Sequence, residues 1–281
     1  MKHIFILNGS VKDHPFKEVI KDVMKDYDYE IIFTQDENHA MEASKQFRNE
    51  KYRVYSVGGD GLLNKVIQGM VNTDNELVVI PYGTGNDFHR YLNNEKDSRK
   101  VLEQSLTKEA IKVDCAKMND RYYINSCCFG IDSVIANGVH VGFSIPFIPD
   151  YVLGIIKNIL TYNNRHIKIY DENQVYFDDK MLLCTINNGK YYGGGFMITP
   201  KGIIDDGMLN LCVVDGIPRW KIPYLLLLLV MNKLAGRKDV HYFDVKHLYV
   251  DCEYSCNLDG DELKCDKYEI TVLPKSINIV A

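Results

Sequence analysis

Val54-Tyr55-Ser56-Val57-Gly58-Gly59-Asp60-Gly61-Leu62-Leu63-Asn64 is the stretch that decides the fold class. An apolar run ends, three glycines bracket an aspartate, and a helical pattern begins and continues to residue 71. Strand, glycine turn and helix in this order form the repeating unit of a parallel sheet covered on both faces. Glycine lets backbone N–H groups approach a phosphate closely, and the N-terminus of the following helix favours negative charge. The GK[ST] ending of a Walker A loop is absent. An aspartate amid such backbone reads as a group that holds Mg²⁺ or orders the loop. Taken alone, the stretch is also compatible with a tight strand-to-helix turn that binds nothing.

The same logic repeats after the next strand, in Ile80-Pro81-Tyr82-Gly83-Thr84-Gly85-Asn86-Asp87-Phe88. Gly83 and Gly85 admit close backbone approach, Thr84 offers a hydroxyl, and Asn86 or Asp87 can cap the next helix. His89 and Arg90 behind it read as a solvated helix face rather than phosphate ligands. Upstream, Ile4-Phe5-Ile6-Leu7 is a buried strand, and Pro15 opens a helix with Phe16, Val19, Ile20 and Val23 on one face. Residues 29–33, 53–57 and 77–81 read as further strands, and Ala40, Ala43 and Phe47 mark a second helix. The alternation predicts a doubly wound α/β domain over residues 1–112, with ligands beyond the carboxyl ends of its strands.

After residue 112 the pattern changes to short strands punctuated by Gly, Asn and Asp, which predicts a mostly antiparallel domain over residues 113–273. Residues 113–117 and 122–129 read as a hairpin around Asn119-Asp120, and the tail at 274–281 could rejoin either domain. Residues 222–234 contain a leucine run too short to span a bilayer. It reads as a buried helix, or as one whose outer face touches lipid, with Arg219, Lys221, Lys233, Arg237 and Lys238 beside it.

Composition bounds these readings. The chain has 281 residues, 46% hydrophobic and 25% charged, which excludes disordered, collagen-like and repeat-tract classes. With 33 Lys and Arg against 38 Asp and Glu, its net charge of −5 offers no overall field for nucleic acid. The eight cysteines include no CxxC pair, and Cys252, Cys256 and Cys265 fit no zinc spacing, so they read as reduced, small hydrophobes. His140, His166, His241 and His247 form no HExxH pattern, which argues against a zinc hydrolase. The apolar run at residues 4–7 is too short for a signal peptide, and the expected location is cytoplasmic, with peripheral contact at the inner membrane face open.

GGDG followed by an apolar pair and Asn64, then PxGTxNDF, resembles the diacylglycerol kinase catalytic-domain family, in particular its bacterial soluble lipid kinases, with sphingosine and ceramide kinases as distant relatives. Further segments carry the resemblance along nearly the whole chain. They are Cys127 to Asp132, Asn187-Asn188-Gly189 through Gly195, Pro200 to Leu209 with Asp205-Asp206-Gly207, and Leu258-Asp259-Gly260-Asp261. The resemblance implies an α/β domain with glycine-rich nucleotide loops, joined to a C-terminal antiparallel β-sandwich. It implies ATP in the cleft between them, on Gly58, Gly59, Asp60, Gly61, Leu62, Leu63 and Asn64 and on Gly83, Thr84, Asn86 and Asp87. Asn8, Ser10 and Lys12 in the first loop and Thr34 after the second strand match further nucleotide positions. A structural Mg²⁺ is implied at Asp206 with the carbonyls of Ile203 and Met208. The acid that takes the proton of the lipid hydroxyl is matched by Asp261, with Asp259 as its close competitor, while Asp60 orders a catalytic Mg²⁺.

Three features depart from the family pattern. Leu62 stands where a threonine is usual, Asp261 where a glutamate is usual, and the first loop lacks its proline. The implied activity is transfer of the ATP γ-phosphoryl group to the hydroxyl of a lipid such as diacylglycerol at the membrane surface. Residues 143–148 and the leucine run read as ordinary core, with apolar surface for acyl chains as the alternative. The alternatives are an NAD kinase-like phosphotransferase and a nucleotide- or lipid-binding regulator with weakened catalysis. The sequence leaves oligomeric state open, a homodimer included.

Overall fold

A computed structural model describes residues 1–9, 14–136, 157–159 and 161–281. Ser10, Lys12 and residues 143–148 lie outside them. The N-terminal half alternates β1 (His3–Leu7), α1 (Phe16–Val23), β2 (Tyr29–Phe33), α2 (Glu37–Gln46), β3 (Arg53–Gly58), α3 (Asp60–Met70) and β4 (Glu76–Pro81). These strands form a parallel sheet in the order β4-β3-β1-β2. The apolar runs of β1, β3 and β4 are buried on both faces because helices cover both, while β2 at the edge is only partly buried. Ile4, Ile6, Val54, Leu77 and Val79 pack on one side, with Leu63, Val66 and Ile67 of α3. Phe5, Leu7, Tyr55, Val57, Val78 and Ile80 pack on the other, with Phe16 and Ile20 of α1.

The register decides where the loops emerge. Leu7 pairs with Phe33 and Val57, and Val57 in turn with Ile80, so four strands end level. Asn8-Gly9, Thr34, the GGDG turn and the GTGND turn therefore leave the sheet along one edge. Two short helices, α4 (Asp87–Leu92) and α5 (Ser98–Ser105), follow.

The C-terminal half is antiparallel. Strand β5 (Ala110–Met118) turns through Asn119, in the left-handed region at φ 49°, into β6 (Arg121–Tyr123), and β7 (Ser126–Gly130) leads into α6 (Ile131–Ala136). The expected single strand over 122–129 is thus split at Ile124-Asn125. The cause is distant in sequence: the Asp259 carboxylate accepts from the amides of Ile124, Asn125 and Ser126, drawing the first two away from a ladder. Strand β8 (Arg165–Tyr170) pairs with the first half of the 13-residue β9 (Val175–Asn187). The second half of β9 lies between β7 and β12 (Leu209–Asp215), which builds the corner of a sandwich. Strands β13 (Val240–Val245), β14 (His247–Asp251), β15 (Cys256–Leu258) and β16 (Asp261–Leu263) complete it, with β10 (Tyr191–Tyr192) and β11 (Phe196–Met197) as a small hairpin. Seven of the eight cysteines are buried and all are free thiols, several of them inside these cores.

One strand joins the halves. β17 (Lys267–Val280) pairs with β14 and β5, then continues so that Asn278, Ile279 and Val280 run parallel to Glu76, Leu77 and Val78 of β4. The tail at 274–281 is therefore one strand with the segment before it, and it returns to the N-terminal sheet. A bulge between Leu273 and Ile277 re-aims it, and the Asp114 carboxylate accepts from the Lys275 amide there (2.7 Å).

The leucine run forms α7 (Ile222–Val230), entered by a 3-10 turn at Arg219–Lys221 with Pro223 in its first turn. Ile222, Leu225 and Leu229 are buried, while Tyr224, Leu227 and Val230 are exposed. No helix among the described residues is long and apolar enough to cross a membrane.

Candidate active site

The GGDG and GTGND turns sit back to back. A Cβ built on Gly83 would lie 2.4 Å from the Gly59 Cα, so the two backbones meet where a side chain has no room. Asp60, in the first turn of α3, points into the other loop. Its carboxylate accepts from the amides of Asp87 (3.1 Å) and Phe88 (3.3 Å), the otherwise unpaired donors at the start of α4. Asp60 thus ties the GGDG turn to the GTGND turn. Asn86 takes the left-handed conformation (φ 51°), which an asparagine tolerates, and its side chain bonds both the amide and the carbonyl of Gly83. Thr84 is exposed at the tip.

Asp87 faces the second domain. It is buried, accepts from the Gly194 amide (2.8 Å) and pairs with Arg90 (2.8 Å). Burial pushes its carboxyl up, and nearby Asp60 adds to this, against the pull of the Gly194 amide. His89 is not on a solvated face: it is buried, with its ring nitrogens on the carbonyls of Val79 (3.2 Å) and Glu95 (2.7 Å). Arg90 is half-buried and ties the GTGND loop to the Gly193-Gly194-Gly195 loop.

Thr34 is buried at the neighbouring edge, where its hydroxyl accepts from the Gly9 amide (3.0 Å). A Cβ on Gly9 would lie 1.5 Å from the Thr34 carbonyl oxygen, so the first loop is pinned by a contact only glycine allows. Leu62 packs against Gly58, where a Cβ would lie 2.7 Å from Leu62 Cδ2. In place of a hydroxyl, this chain has an apolar plug behind the loop.

Across the cleft, Asp259 and Gly260 form the turn between β15 and β16, at φ 48° and 105°. A Cβ on Gly260 would stand 3.9 Å from the Gly61 Cα, so this turn faces the GGDG turn directly. Asn64 donates to Asp259 (3.4 Å) and to the Tyr122 carbonyl (3.2 Å), while Gln68 on the next turn pairs with both backbone groups of Tyr122. One side of α3 is thereby docked on the second domain.

The two acids of this turn differ in environment. Asp259 is buried, and its oxygens are filled by three backbone amides, the shortest from Ser126 (2.7 Å) and Ile124 (2.8 Å). Burial pushes its carboxyl up to about 6, although those amides pull the other way. A carboxyl whose folded-state value lies above its unfolded one keeps its proton longer in the folded chain. Folding stability attributable to Asp259 is then fully present below pH 3.8 and falls as pH rises to about 6. Asp259→Asn is expected to flatten that slope. At neutral pH it should cost about 1–3 kcal/mol by leaving amides unsatisfied. Thermal melts across this pH range check both effects.

Asp261 is half-buried and lies between two cations, paired with Lys65 of α3 and with Arg121 of β6 (3.0 Å). Sequence reasoning missed Lys65 and Arg121, since nothing local joins Lys65 to a residue 196 positions away. On these domain-facing segments, Asn64 Oδ1, Asn125 Oδ1 and Arg121 Nε are buried with no hydrogen-bond partner among the described residues. Buried polar atoms of this kind call for a partner.

The loop carrying Ile203, Asp206 and Met208 closes the same region. Tyr91 of α4 donates to the Gly202 carbonyl (3.3 Å), and Ile204 is buried in the N-terminal core. Buried Asp114, a third residue that sequence reasoning missed, accepts from the Gly207 amide (2.6 Å) and so fixes this loop to β17. Asp206 is exposed and accepts from the Met208 amide (2.9 Å). Desolvation raises its carboxyl, and Asp114, Asp244 and Asp205 raise it further. A solvent-exposed carboxylate crowded by like charges is a hard oxygen donor of the kind a divalent cation takes, although the described residues bring no group of three metal-ligating side chains together.

Comparison with known proteins completes the description. Residues 2–118 match the model of the diacylglycerol kinase catalytic domain, and residues 125–281 that of the YegS C-terminal NAD kinase beta sandwich-like domain. The chain belongs to the diacylglycerol kinase catalytic-domain family. Within this lipid kinase family it is YegS-like. It is 26% identical to a "Probable lipid kinase YegS-like" of Shewanella frigidimarina, over 81% of this chain and 76% of that one. It is 27% identical to a diacylglycerol kinase of Staphylococcus carnosus, over 87% and 84%. Among solved structures, a diacylglycerol kinase from Bacillus anthracis superimposes with a TM-score of 0.73 at 19% identity, over 99% and 96%. An NAD kinase from Archaeoglobus fulgidus in complex with ATP gives 0.57 at 12%, over 100% and 94%. At these identities the likeness to solved structures is one of fold, and it is the fold this family is expected to have.

Proposed function

We propose that the protein transfers the γ-phosphoryl group of ATP to the hydroxyl of a lipid, with diacylglycerol as the leading acceptor. The observation that carries the reading is the meeting of three turns. The GGDG and GTGND turns, locked together by Asp60, face the Asp259-Gly260-Asp261 turn across the cleft between the domains. Phosphoryl transfer depends on positioning and charge neutralisation more than on covalent chemistry by the protein. Exposed backbone around Gly61, at the N-terminus of α3, offers a seat for the triphosphate.

Lys65 and Arg121 then supply the positive charge. In the resting chain both are held by Asp261. A triphosphate entering the cleft competes for them and loosens the Asp261 carboxylate. The lipid oxygen attacks the γ-phosphorus, the bond from the β–γ bridging oxygen to that phosphorus breaks, ADP departs, and the hydroxyl proton passes to Asp261. Asp259, whose oxygens are already filled, positions this turn. At the 203–208 loop, Asp206 and the carbonyls of Ile203 and Met208 would hold Mg²⁺, which would supply positive charge to fix the loop.

Two glycine substitutions separate scaffold from ligand contact. Gly83→Ala is expected to force the paired turns apart and destabilise the fold by about 1–3 kcal/mol. At Gly61 a Cβ meets nothing within 4 Å, so Gly61→Ala should leave the melting temperature unchanged while weakening ATP binding about 10-fold, because it blocks close approach of phosphate. Melting curves and ATP titrations report both.

The acceptor is tested with purified protein, Mg-ATP carrying a labelled γ-phosphate, and a panel of diacylglycerol, monoacylglycerol, sphingoid base, phosphatidylglycerol and NAD. Label is expected in a lipid. Label in NAD alone would replace this reading with the NAD kinase one, and ATP binding without transfer to any acceptor would favour a regulator.

A further inference from the structure

We propose that the outward face of α7, with the lysines around it, docks the protein on an anionic phospholipid bilayer. The function given to this contact rests on the lipid-kinase reading; the contact itself does not. Trp220, Tyr224, Leu227, Val230 and Met231 stand on one surface with relative exposures of 47–77%. The inner residues Ile222, Leu225 and Leu229 are already buried, so the helix is anchored and has a second apolar face to spare. Isolated exposed apolar residues are ordinary on a protein surface, but five large ones on a helix of nine residues and its flanks form a patch.

Charge identifies the occupant. Residues 219–238 contain five Lys and Arg and no Asp or Glu, in a chain whose net charge is −5. Arg237 is committed to Asp239 through two bonds of 2.7 Å, and Arg219 donates to the Tyr162 carbonyl (2.7 Å), so these two brace the segment. Lys221, Lys233 and Lys238 form no ion pair among the described residues and are exposed on either side of the apolar face. An apolar stripe with tryptophan and tyrosine at its entry and lysines on its rim is the pattern of a helix lying in the headgroup plane. A second copy of the chain would bring lysine against lysine.

The position suits the purpose. α7 packs against β11, beside the Gly193-Gly194-Gly195 loop, whose Gly194 amide holds Asp87 of the nucleotide turns. Phe196, at the edge of that loop, is also exposed (39%). A recess of about 290 Å³ opens at the foot of the helix between Trp220, Tyr224, Lys221 and Arg237. A bilayer touching α7 would therefore lie next to the cleft that takes the lipid hydroxyl.

Trp220 is the only tryptophan in the chain and serves as the probe. The full chain is titrated, without ATP, with phosphatidylcholine vesicles with and without phosphatidylglycerol, following emission and cosedimentation. Emission is expected to shift to the blue on phosphatidylglycerol-containing vesicles, and salt should weaken binding. The Lys233→Glu, Lys238→Glu double variant should bind at least about 30-fold more weakly. Leu227→Asn with Val230→Asn should lose at least about 10-fold. Both change exposed positions, and a melting curve checks that they fold. Three results would each overturn the proposal: no shift on anionic vesicles at low salt, binding untouched by either variant, or a lipid-free shift that grows with protein concentration and disappears in the Leu227→Asn, Val230→Asn variant. The last would make the face an interface between two copies. None of these outcomes bears on whether the cleft transfers phosphate.

Discussion

Replacing Asp261 with asparagine is expected to lower the rate of phosphoryl transfer at least about 100-fold, the scale of a lost general base. The fold should survive. Asp261 is half-buried, its neighbours there are the side-chain ends of Lys65 and Arg121, and the amide has the same size. ATP affinity should hold or rise, because the variant frees both cations from their carboxylate. The signature is thus a fall in kcat with little change in KM for ATP. Asp261→Ala should show the same loss. If either variant keeps wild-type turnover, the proton goes elsewhere, and Asp259 is the nearest carboxyl to examine.

Asp60→Ala should produce a loss of similar size, at least about 100-fold, with a different signature. Its carboxylate holds the amides of Asp87 and Phe88, so alanine leaves both donors unsatisfied and releases the GTGND turn from the GGDG turn. The phosphate seat is then misplaced as a whole, and misplacement of a reacting group by about 1 Å can alone cost about 100-fold. KM for ATP should therefore rise as kcat falls. Asp60→Asn keeps one acceptor oxygen and should recover part of the affinity. An Asp60→Ala variant with a normal KM would mean that the paired turns do not hold the triphosphate.

Much of the N-terminal domain is legible from local pattern because its structure is locally determined. Short apolar runs alternate with helical spacing, and glycine turns mark the ends of β1, β3 and β4. The side-by-side emergence of the GGDG and GTGND turns follows from the order of the units, since consecutive β3 and β4 are neighbours in register. The second domain is less legible because its strands are cut by contacts made far along the chain. Residues 122–129 read as one strand, and only the Asp259 carboxylate explains the break at Ile124-Asn125. Strand β16 (Asp261–Leu263) has no apolar run at all and exists through its pairing with β15.

The same limit applies to the cleft. GGDG, GTGND and the 259–261 turn stand out because glycine and acid in a turn are unusual locally. Lys65, Arg121 and Asp114 do not stand out: each is an ordinary residue in a helix or strand, and each acquires its part from a carboxylate or amide brought in by the fold. His89 misleads for the same reason. Polar and next to an arginine, it reads as solvent-facing, yet two backbone carbonyls hold it inside.

The central claim is that a triphosphate sits between the paired turns and the Asp261 turn. Amide hydrogen exchange with and without Mg-ATP tests it most directly. The account predicts slowed exchange confined to residues 58–64, 82–88 and 259–262, and reduced in Gly61→Ala at the same subsaturating ATP concentration. Protection elsewhere, with these three turns exchanging as they do without nucleotide, would contradict it.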